Sequence, residues 1–173
     1  SKNLLIFIPL FTAHLYGDMS KFILNIYAFI AFSAAASSVY ILNDLVDINE
    51  DRLHPRKKYR PFASGKISLL VGWIMWPILL LVSILISIIT LPSLFYLMII
   101  TYLFTTILYS FFFKKIFILD VIILAFLYTF RIFSGTISIE APLTLWLLGF
   151  SFFLFFSFAL LKRFIEIKSN ELE

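Results

Sequence analysis

Six long apolar runs limit what this 173-residue chain can fold into more than any other feature. A helix rises about 1.5 Å per residue, so about 20 apolar residues cross the hydrocarbon core of a bilayer. Only 14% of the residues are charged and 62% are hydrophobic, which excludes a soluble globular domain. The predicted spans are Leu4–Tyr16, Phe22–Leu42, Leu69–Ile89, Leu94–Phe113, Phe117–Ile139 and Leu143–Ile165. We therefore expect an all-α, polytopic membrane helical bundle, whose short first span continues upstream of Ser1.

The placement of basic residues predicts how this bundle is oriented. Twelve of the fourteen Lys and Arg residues fall on one side of the predicted spans, six of them in the connection after the second span. Because positively charged loops are retained in the cytoplasm, we expect both ends of the chain to be cytoplasmic, in a bacterial inner (plasma) membrane. This distribution explains the net charge of +4 without a nucleic-acid partner. The absence of cysteine excludes disulfides and thiol chemistry.

Three aspartates at the end of the second span are the strongest functional signal in the sequence. On a helix, Asp44, Asp47 and Asp51 fall within an arc of roughly 60°. Asn43 lies beside this arc and Tyr40 one turn earlier on the same stripe. Like charges stacked in this way repel one another, and a shared Mg²⁺ removes the repulsion while using the hard oxygen ligands it prefers. The alternative is a solvated helix end whose carboxylates pair with neighbouring Lys and Arg side chains.

A basic loop follows the aspartates. The dipeptide His54-Pro55 predicts the end of the helix, because the residue before a proline avoids helical backbone angles. Lys57 and Arg60 then provide cations that can hold the far oxygens of a phosphate or diphosphate. A basic loop is also what membrane topology requires, and anionic lipid headgroups attract it. Topology does not require the carboxylates beside it.

Arg131 is the one basic residue predicted to lie near the middle of a span. An unpaired charge near the middle of a bilayer costs at least about 2.5–3.5 kcal/mol. Asp120 shares the helix face but lies about 16 Å away along the axis, too far to pair with it. Arg131 therefore needs a partner on another helix, a bound anion or a water-filled cavity.

Further polar residues stand at the same end of the later spans. Tyr109 and Lys114 close the fourth span, where a tyrosine is often an interfacial belt residue and a lysine a topology signal. Lys162, Arg163 and Glu166 close the sixth span. Their position brings them back to the side that carries the three aspartates.

Two sets of motifs connect these residues with a known family. Asn43-Asp44-x-x-Asp47-x-x-x-Asp51, the basic Arg-Pro loop and the Tyr-x-x-x-x-Lys pattern that ends the fourth span resemble the UbiA superfamily of intramembrane prenyltransferases. The His54-Pro55 loop, Arg131-x-x-x-Gly135 and Lys162-Arg163-x-x-Glu166 resemble its polyprenyl-phosphate phosphoribosyltransferase branch. The resemblance covers essentially the whole chain. It implies a single domain over residues 1–173, with about six of nine transmembrane helices present and the C-terminal helices missing.

The resemblance implies a Mg²⁺-dependent transfer of phosphoribose from phosphoribosyl pyrophosphate to a polyprenyl phosphate. The residues that it implies for the reaction are Asp44, Asp47 and Lys114, and the metal ligands are Asp44, Asp47 and Asp51. The substrate-binding residues that it implies are Asn43, Tyr40, Lys57, Arg60, Tyr109, Asp120, Arg131, Lys162, Arg163 and Glu166.

Two alternatives remain open. The first is a prenyltransferase that moves a prenyl group from its diphosphate to an aromatic acceptor. Family members of that kind carry a second aspartate-rich motif after the sixth span, where this chain reads Lys162-Arg163-Phe164-Ile165-Glu166. The second is a transporter or a non-catalytic membrane protein. Charged residues that line a continuous path would favour a transporter, whereas charges that converge on one pocket favour an enzyme.

Overall fold

The computed structural model describes residues 2–113 and 116–170, and within these ranges it contains helices and turns but no strand. This confirms the expected all-α class. The α-helices are α1 (Ile8–Thr12), α2 (Met19–Val46), α3 (Ile48–Leu53), α4 (Leu69–Thr90), α5 (Ser93–Phe111), α6 (Phe117–Ser138) and α7 (Leu145–Asn170). Two short 3₁₀ helices cover Lys2–Phe7 and Lys57–Tyr59.

Helices α2, α4, α5, α6 and α7 are long and apolar enough to cross a membrane. They confirm five of the six predicted spans, and the protein is an integral membrane protein on this ground. The first predicted span, Leu4–Tyr16, is shorter than expected, because the apolar helical stretch there covers only Lys2–Thr12. Its 3₁₀ and α-helical parts reach roughly 20 Å, less than the thickness of a bilayer core.

The ends of α2 and α3 follow from local sequence. Asp18 caps the N-terminus of α2, with its Oδ1 accepting from the backbone N–H groups of Ser20 at 2.9 Å and Lys21 at 3.2 Å. Helix α3 ends at Leu53, and His54 is extended before Pro55, as the dipeptide predicts. The His54 imidazole accepts two backbone N–H bonds of the following turn, so it supports the loop that leaves the helix.

Helices α2 and α6 form the centre of the bundle. About half of the apolar stretch of each is buried, 44% in α2 and 50% in α6, against 11% in both α4 and α7. Helix α4 packs along α2, where alanines 34–36 are buried and let the two helices approach closely. The Ser38 hydroxyl donates to the Trp76 carbonyl at 2.8 Å and joins the two helices directly.

The N-terminal 3₁₀ segment is fixed against the two central helices. Gly135 of α6 lies so close to it that a Cβ at this position would be 2.2 Å from the carbonyl oxygen of Ile6. That carbonyl also accepts from Asn25 Nδ2 of α2 at 3.2 Å. Asn3 donates from its Nδ2 to Ser33 Oγ at 3.0 Å. These contacts fix the N-terminal segment against the bundle, with Asn3 buried and Lys2 exposed.

Candidate active site

Two aspartates converge on one arginine at the end of the bundle where α2 and α5 finish and α6 begins. We call this the acidic end. Arg60 Nη1 donates to Asp44 Oδ1 at 2.9 Å and to Asp51 Oδ2 at 2.8 Å. Asp51 is 2% exposed and Asp44 is partly buried, so this guanidinium compensates a carboxylate that water barely reaches. Lys57 adds a second cation, with its Nζ 3.9 Å from Asp51 Oδ1.

The backbone brings these side chains together. Asp47 separates α2 from α3, but its N–H still donates to the Asn43 carbonyl and its own carbonyl accepts from the Asp51 N–H, both at 2.9 Å. The two helices therefore continue almost as one, which keeps Asp44 and Asp51 on a common side. The loop is anchored by Phe62, which is buried against Leu45 and Gly72. This anchor fixes Arg60, two residues earlier, over the carboxylates.

The donor set at the acidic end fits a divalent cation in part. Two carboxylate oxygens, one from Asp44 and one from Asp51, point at the position that Arg60 Nη1 occupies, and Mg²⁺ prefers hard oxygen ligands of this kind. Because Mg–O distances are about 2.1 Å, both oxygens would have to move closer to that position to bind the ion. Among the described residues, no three His, Cys, Asp or Glu side chains are arranged to hold a metal ion. The expected three-carboxylate cluster is therefore not preformed, because the Arg60 guanidinium lies between two of its members.

Replacing Arg60 tests whether this position can accept a metal. We expect Arg60→Gln in the full-length protein to lower the unfolding temperature in detergent, because Asp51 loses its nearest cation. We also expect Mg²⁺ to raise that temperature more in the variant than in the wild type, because the ion no longer competes with the guanidinium. The measurement is thermal unfolding over a series of Mg²⁺ concentrations.

Lys58→Gln is the matched control, because it removes one cation from the same loop. Lys58 lies 5.3 Å from the Tyr59 ring, and its nitrogen contacts neither carboxylate. An equal Mg²⁺ response in both variants would contradict a cation position shared by Arg60 and the metal.

A second polar cluster joins the helices around Asp120. Its carboxylate, 6% exposed, accepts from the Tyr109 hydroxyl at 2.5 Å and lies 3.7 Å from Arg163 Nε. Nearby, Asn43 Nδ2 donates to Ser110 Oγ at 2.9 Å. Residues far apart in sequence on α2, α5, α6 and α7 thus meet at the acidic end.

Arg131 is buried deeper in the bundle and is surrounded by neutral groups. Its Nε donates to Asn3 Oδ1 at 3.1 Å, its Nη2 donates to the Tyr102 hydroxyl at 3.2 Å, and its Nη1 donates to the Leu127 carbonyl. The rings of Phe32, Tyr102 and Tyr128 lie 5.3–5.5 Å from its guanidinium carbon. Within the described residues no carboxylate lies within 4 Å of it. Its positive charge is therefore solvated but not neutralised.

A cavity of about 110 Å³ opens between Arg131 and the acidic end. We call it the inner chamber. Its polar lining offers hydroxyl and amide groups beside one buried cation, a combination suited to a phosphate or another small anion. The chamber is lined by Lys2, Tyr40, Asn43, Tyr102, Thr106, Tyr109, Ser110, Leu124, Leu127, Tyr128 and Arg131.

The structure places most of the predicted residues at the acidic end or along the inner chamber. Asp44, Asp51, Lys57 and Arg60 form the acidic cluster, and Asp120 and Arg163 join the helices beside it. Tyr40, Asn43, Tyr109 and Arg131 line the inner chamber, and Lys162 lines a groove next to it. Asp47 lies between α2 and α3. Lys114 and the side chain of Glu166 lie outside the described residues.

Four residues that contact Arg131 or line the inner chamber stand out among those not predicted: Lys2, Asn3, Tyr102 and Tyr128. Tyr102 precedes Tyr109 by seven residues, which places both on one face of α5, and Tyr128 stands one turn before Arg131 on α6. Tyrosines at helical spacing from predicted site residues are a signal that could have found two of the four. The contact of Asn3 with Arg131 depends on how the N-terminal segment packs.

Comparison with known proteins connects this geometry to a family. The family model described as the UbiA prenyltransferase family matches residues 5–171. The chain is 37% identical to the protein y4nM of Sinorhizobium fredii, covering 96% of this chain and 32% of that protein. It is 34% identical to the nodulation protein NoeC of Azorhizobium caulinodans, and the match covers 96% of this chain and 53% of that protein. It is 31% identical to the decaprenyl-phosphate phosphoribosyltransferase of Mycolicibacterium smegmatis, and the match covers 83% of this chain and 45% of that protein. The chain thus spans about half the length of these relatives, or less.

Proposed function

Because this chain belongs to the UbiA prenyltransferase family, we propose that the full-length protein is a membrane transferase that moves phosphoribose from phosphoribosyl pyrophosphate to a polyprenyl phosphate. The relatives named decaprenyl-phosphate phosphoribosyltransferase, 28–31% identical to this chain, support a polyprenyl phosphate as acceptor. We propose that residues 1–173 form one transmembrane domain of that protein. The basic residues support placing the acidic end on the cytoplasmic side of a bacterial inner membrane.

The observation that carries this proposal is the convergence of opposite charges at one end of the bundle. Asp44, Asp51 and Asp120 are each in contact with a cationic side chain there, and the inner chamber leads from them to Arg131. The convergence of charged side chains at the acidic end favours an enzyme over a transporter. A donor that carries several phosphates and an acceptor that carries one both need cations placed in this way.

The chemistry that this site can support is a displacement at the ribose C1. An acceptor phosphate oxygen forms the new bond to C1 while the bond from C1 to the pyrophosphate oxygen breaks, and the electron pair leaves with pyrophosphate. Lys57, Arg60 and Arg163 would bind the donor phosphates and stabilise the negative charge that develops on the leaving group. No general base is needed, because the acceptor phosphate is already ionised at neutral pH.

A bound metal would add to this stabilisation. We propose that Asp44, Asp47 and Asp51 would hold Mg²⁺, which would supply positive charge beside the leaving pyrophosphate. Arg60 would then be free to turn from the carboxylates towards the donor. Tyr40, Asn43 and Tyr109 would orient the substrates from the wall of the inner chamber, and Lys114 would contribute a further cation from the end of the fourth span.

A prenyl transfer to an aromatic acceptor is the second candidate function. One feature of the sequence favours phosphoribosyl transfer over it. Helix α7 carries Lys162, Arg163 and Glu166 at the place where a second aspartate pair would hold another metal. Arg163 lies beside Asp120, so this part of α7 brings a cation to the site.

The deciding experiment offers purified full-length protein each donor in turn. Phosphoribosyl pyrophosphate or a prenyl diphosphate is incubated with polyprenyl phosphate or an aromatic acid, with Mg²⁺ or with a chelator. Of the two donors, we expect only phosphoribosyl pyrophosphate to be consumed, and only when Mg²⁺ is present. Mass spectrometry should then find a polyprenyl phosphate that has gained a phosphoribosyl group. Consumption of the prenyl diphosphate, or of neither donor, would overturn the proposal.

A further inference from the structure

A second cavity adjoins the inner chamber. It is a groove of about 350 Å³ between α6 and α7, and Phe155, Phe158 and Ala159 supply its α7 side. Lys2, Leu124 and Tyr128 line both this groove and the inner chamber. The two cavities therefore share a wall.

Tyr128 and Lys2 form that wall. The Lys2 ammonium lies 5.2 Å from the centre of the Tyr128 ring, and the Arg131 guanidinium carbon lies 5.4 Å from the same centre. The ring of Phe155 stacks on Tyr128 at 5.1 Å with an interplanar angle of 23°. One aromatic residue thus contacts two cations and the apolar side of the groove.

The charged residues along the groove indicate which kind of ligand it can bind. Its walls are apolar, and its two cations, Lys2 and Lys162, come from its chamber side and from the part of α7 near the acidic end. Within the described residues, Lys2 has no carboxylate within 4 Å, so its contact with Tyr128 leaves its charge available to an anion. A ligand that matches this lining has one long apolar chain and one anionic head.

We infer that Lys2 and Tyr128 form the headgroup subsite for the polyprenyl phosphate, with the phosphate against Lys2 and the first isoprene units along Tyr128, Phe155 and Phe158. This inference rests on the proposed function and goes beyond it, since it assigns the acceptor to one groove. It places the phosphate at the wall between groove and chamber. From there an oxygen can face a donor held at the acidic end.

Binding of farnesyl phosphate to the full-length protein in detergent tests this subsite. We expect Lys2→Gln to weaken binding about tenfold, because a hydrogen bond to a charged group is lost, and Lys2→Arg to retain it. Farnesol, which lacks the phosphate, should bind Lys2→Gln and wild type alike. Tyr128→Ala should weaken the binding of both farnesyl phosphate and farnesol. Tyr128→Phe should leave both affinities unchanged, because it keeps the ring that Lys2 and Phe155 contact.

Lys21→Gln is the matched control, because it removes a lysine at the opposite end of the bundle. The Lys21 ammonium there lies 3.6 Å from the Glu140 carboxylate. Unchanged farnesyl phosphate affinity in Lys2→Gln, or an equal loss in Lys21→Gln, would overturn the inference. Competition by phosphatidic acid as strong as that by farnesyl phosphate would assign the groove to a bilayer phospholipid, and competition by inorganic phosphate alone would exclude a lipid. A protein that binds farnesyl phosphate through Lys2 but does not consume phosphoribosyl pyrophosphate would contradict the proposed function and leave this subsite in place.

Discussion

Asp44→Asn in the full-length protein is expected to lower transferase turnover by about a hundredfold or more. The substitution keeps the size of the side chain but removes one of the two carboxylates that meet at Arg60 Nη1. Loss of one preorganised electrostatic partner at a reacting centre costs about 10²–10³ in rate. The measurement is the initial rate of product formation with radiolabelled phosphoribosyl pyrophosphate and polyprenyl phosphate.

The control for this substitution is Asp18→Asn. It makes the same chemical change at the N-cap of α2, at the other end of the bundle, where asparagine caps as well as aspartate does. We expect its turnover to equal that of the wild type. If Asp44→Asn retains turnover, the acidic end does not carry the reaction.

Gly135→Ala is expected to have the largest effect on stability. The added Cβ would lie 2.2 Å from the Ile6 carbonyl oxygen, and this neighbour is backbone that cannot rotate away. We expect a loss of about 3 kcal/mol or more, because overpacking at this distance outweighs the gain of about 1 kcal/mol that alanine brings to a helix. The measurement is thermal unfolding in detergent, together with proteolysis of the N-terminal segment, which should become accessible.

Gly149→Ala provides the comparison for Gly135→Ala. Gly149 also lies within a helix, but a Cβ there meets nothing within 4 Å. Only the helix-propensity gain applies, so we expect an unchanged or slightly higher unfolding temperature. Equal unfolding temperatures for the two variants would show that the N-terminal segment is not packed against α6 as described.

The membrane helices could be predicted because length and hydropathy alone determine them. Five apolar runs became helices that can span a bilayer, and His54-Pro55 ended α3 through a purely local steric effect. The first run could not be judged in the same way. Its outcome depends on how a segment with Pro9 in the first turn of α1 packs against Gly135, which is a contact between residues far apart in sequence.

The candidate site was predictable in composition but not in pairing. Helical periodicity brought Asp44 and Asp51 to one side, and depth in the bilayer identified Arg131 as a charge that needs partners. That Arg60 lies between the two carboxylates depends on where Phe62 anchors the loop. That Tyr102 is among the partners of Arg131 depends on how α5 and α6 face each other. Sequence gives the position of a residue along its own helix, but not its neighbour on the next one.

The position of Arg131 has a consequence for ion permeation. A guanidinium remains charged over the whole physiological pH range, and the described neighbours of Arg131 are neutral. A cation that approaches from Asp120 therefore meets a fixed positive charge about 16 Å further along α6. Arg131 thus repels cations from the part of the inner chamber that it lines, at every physiological pH.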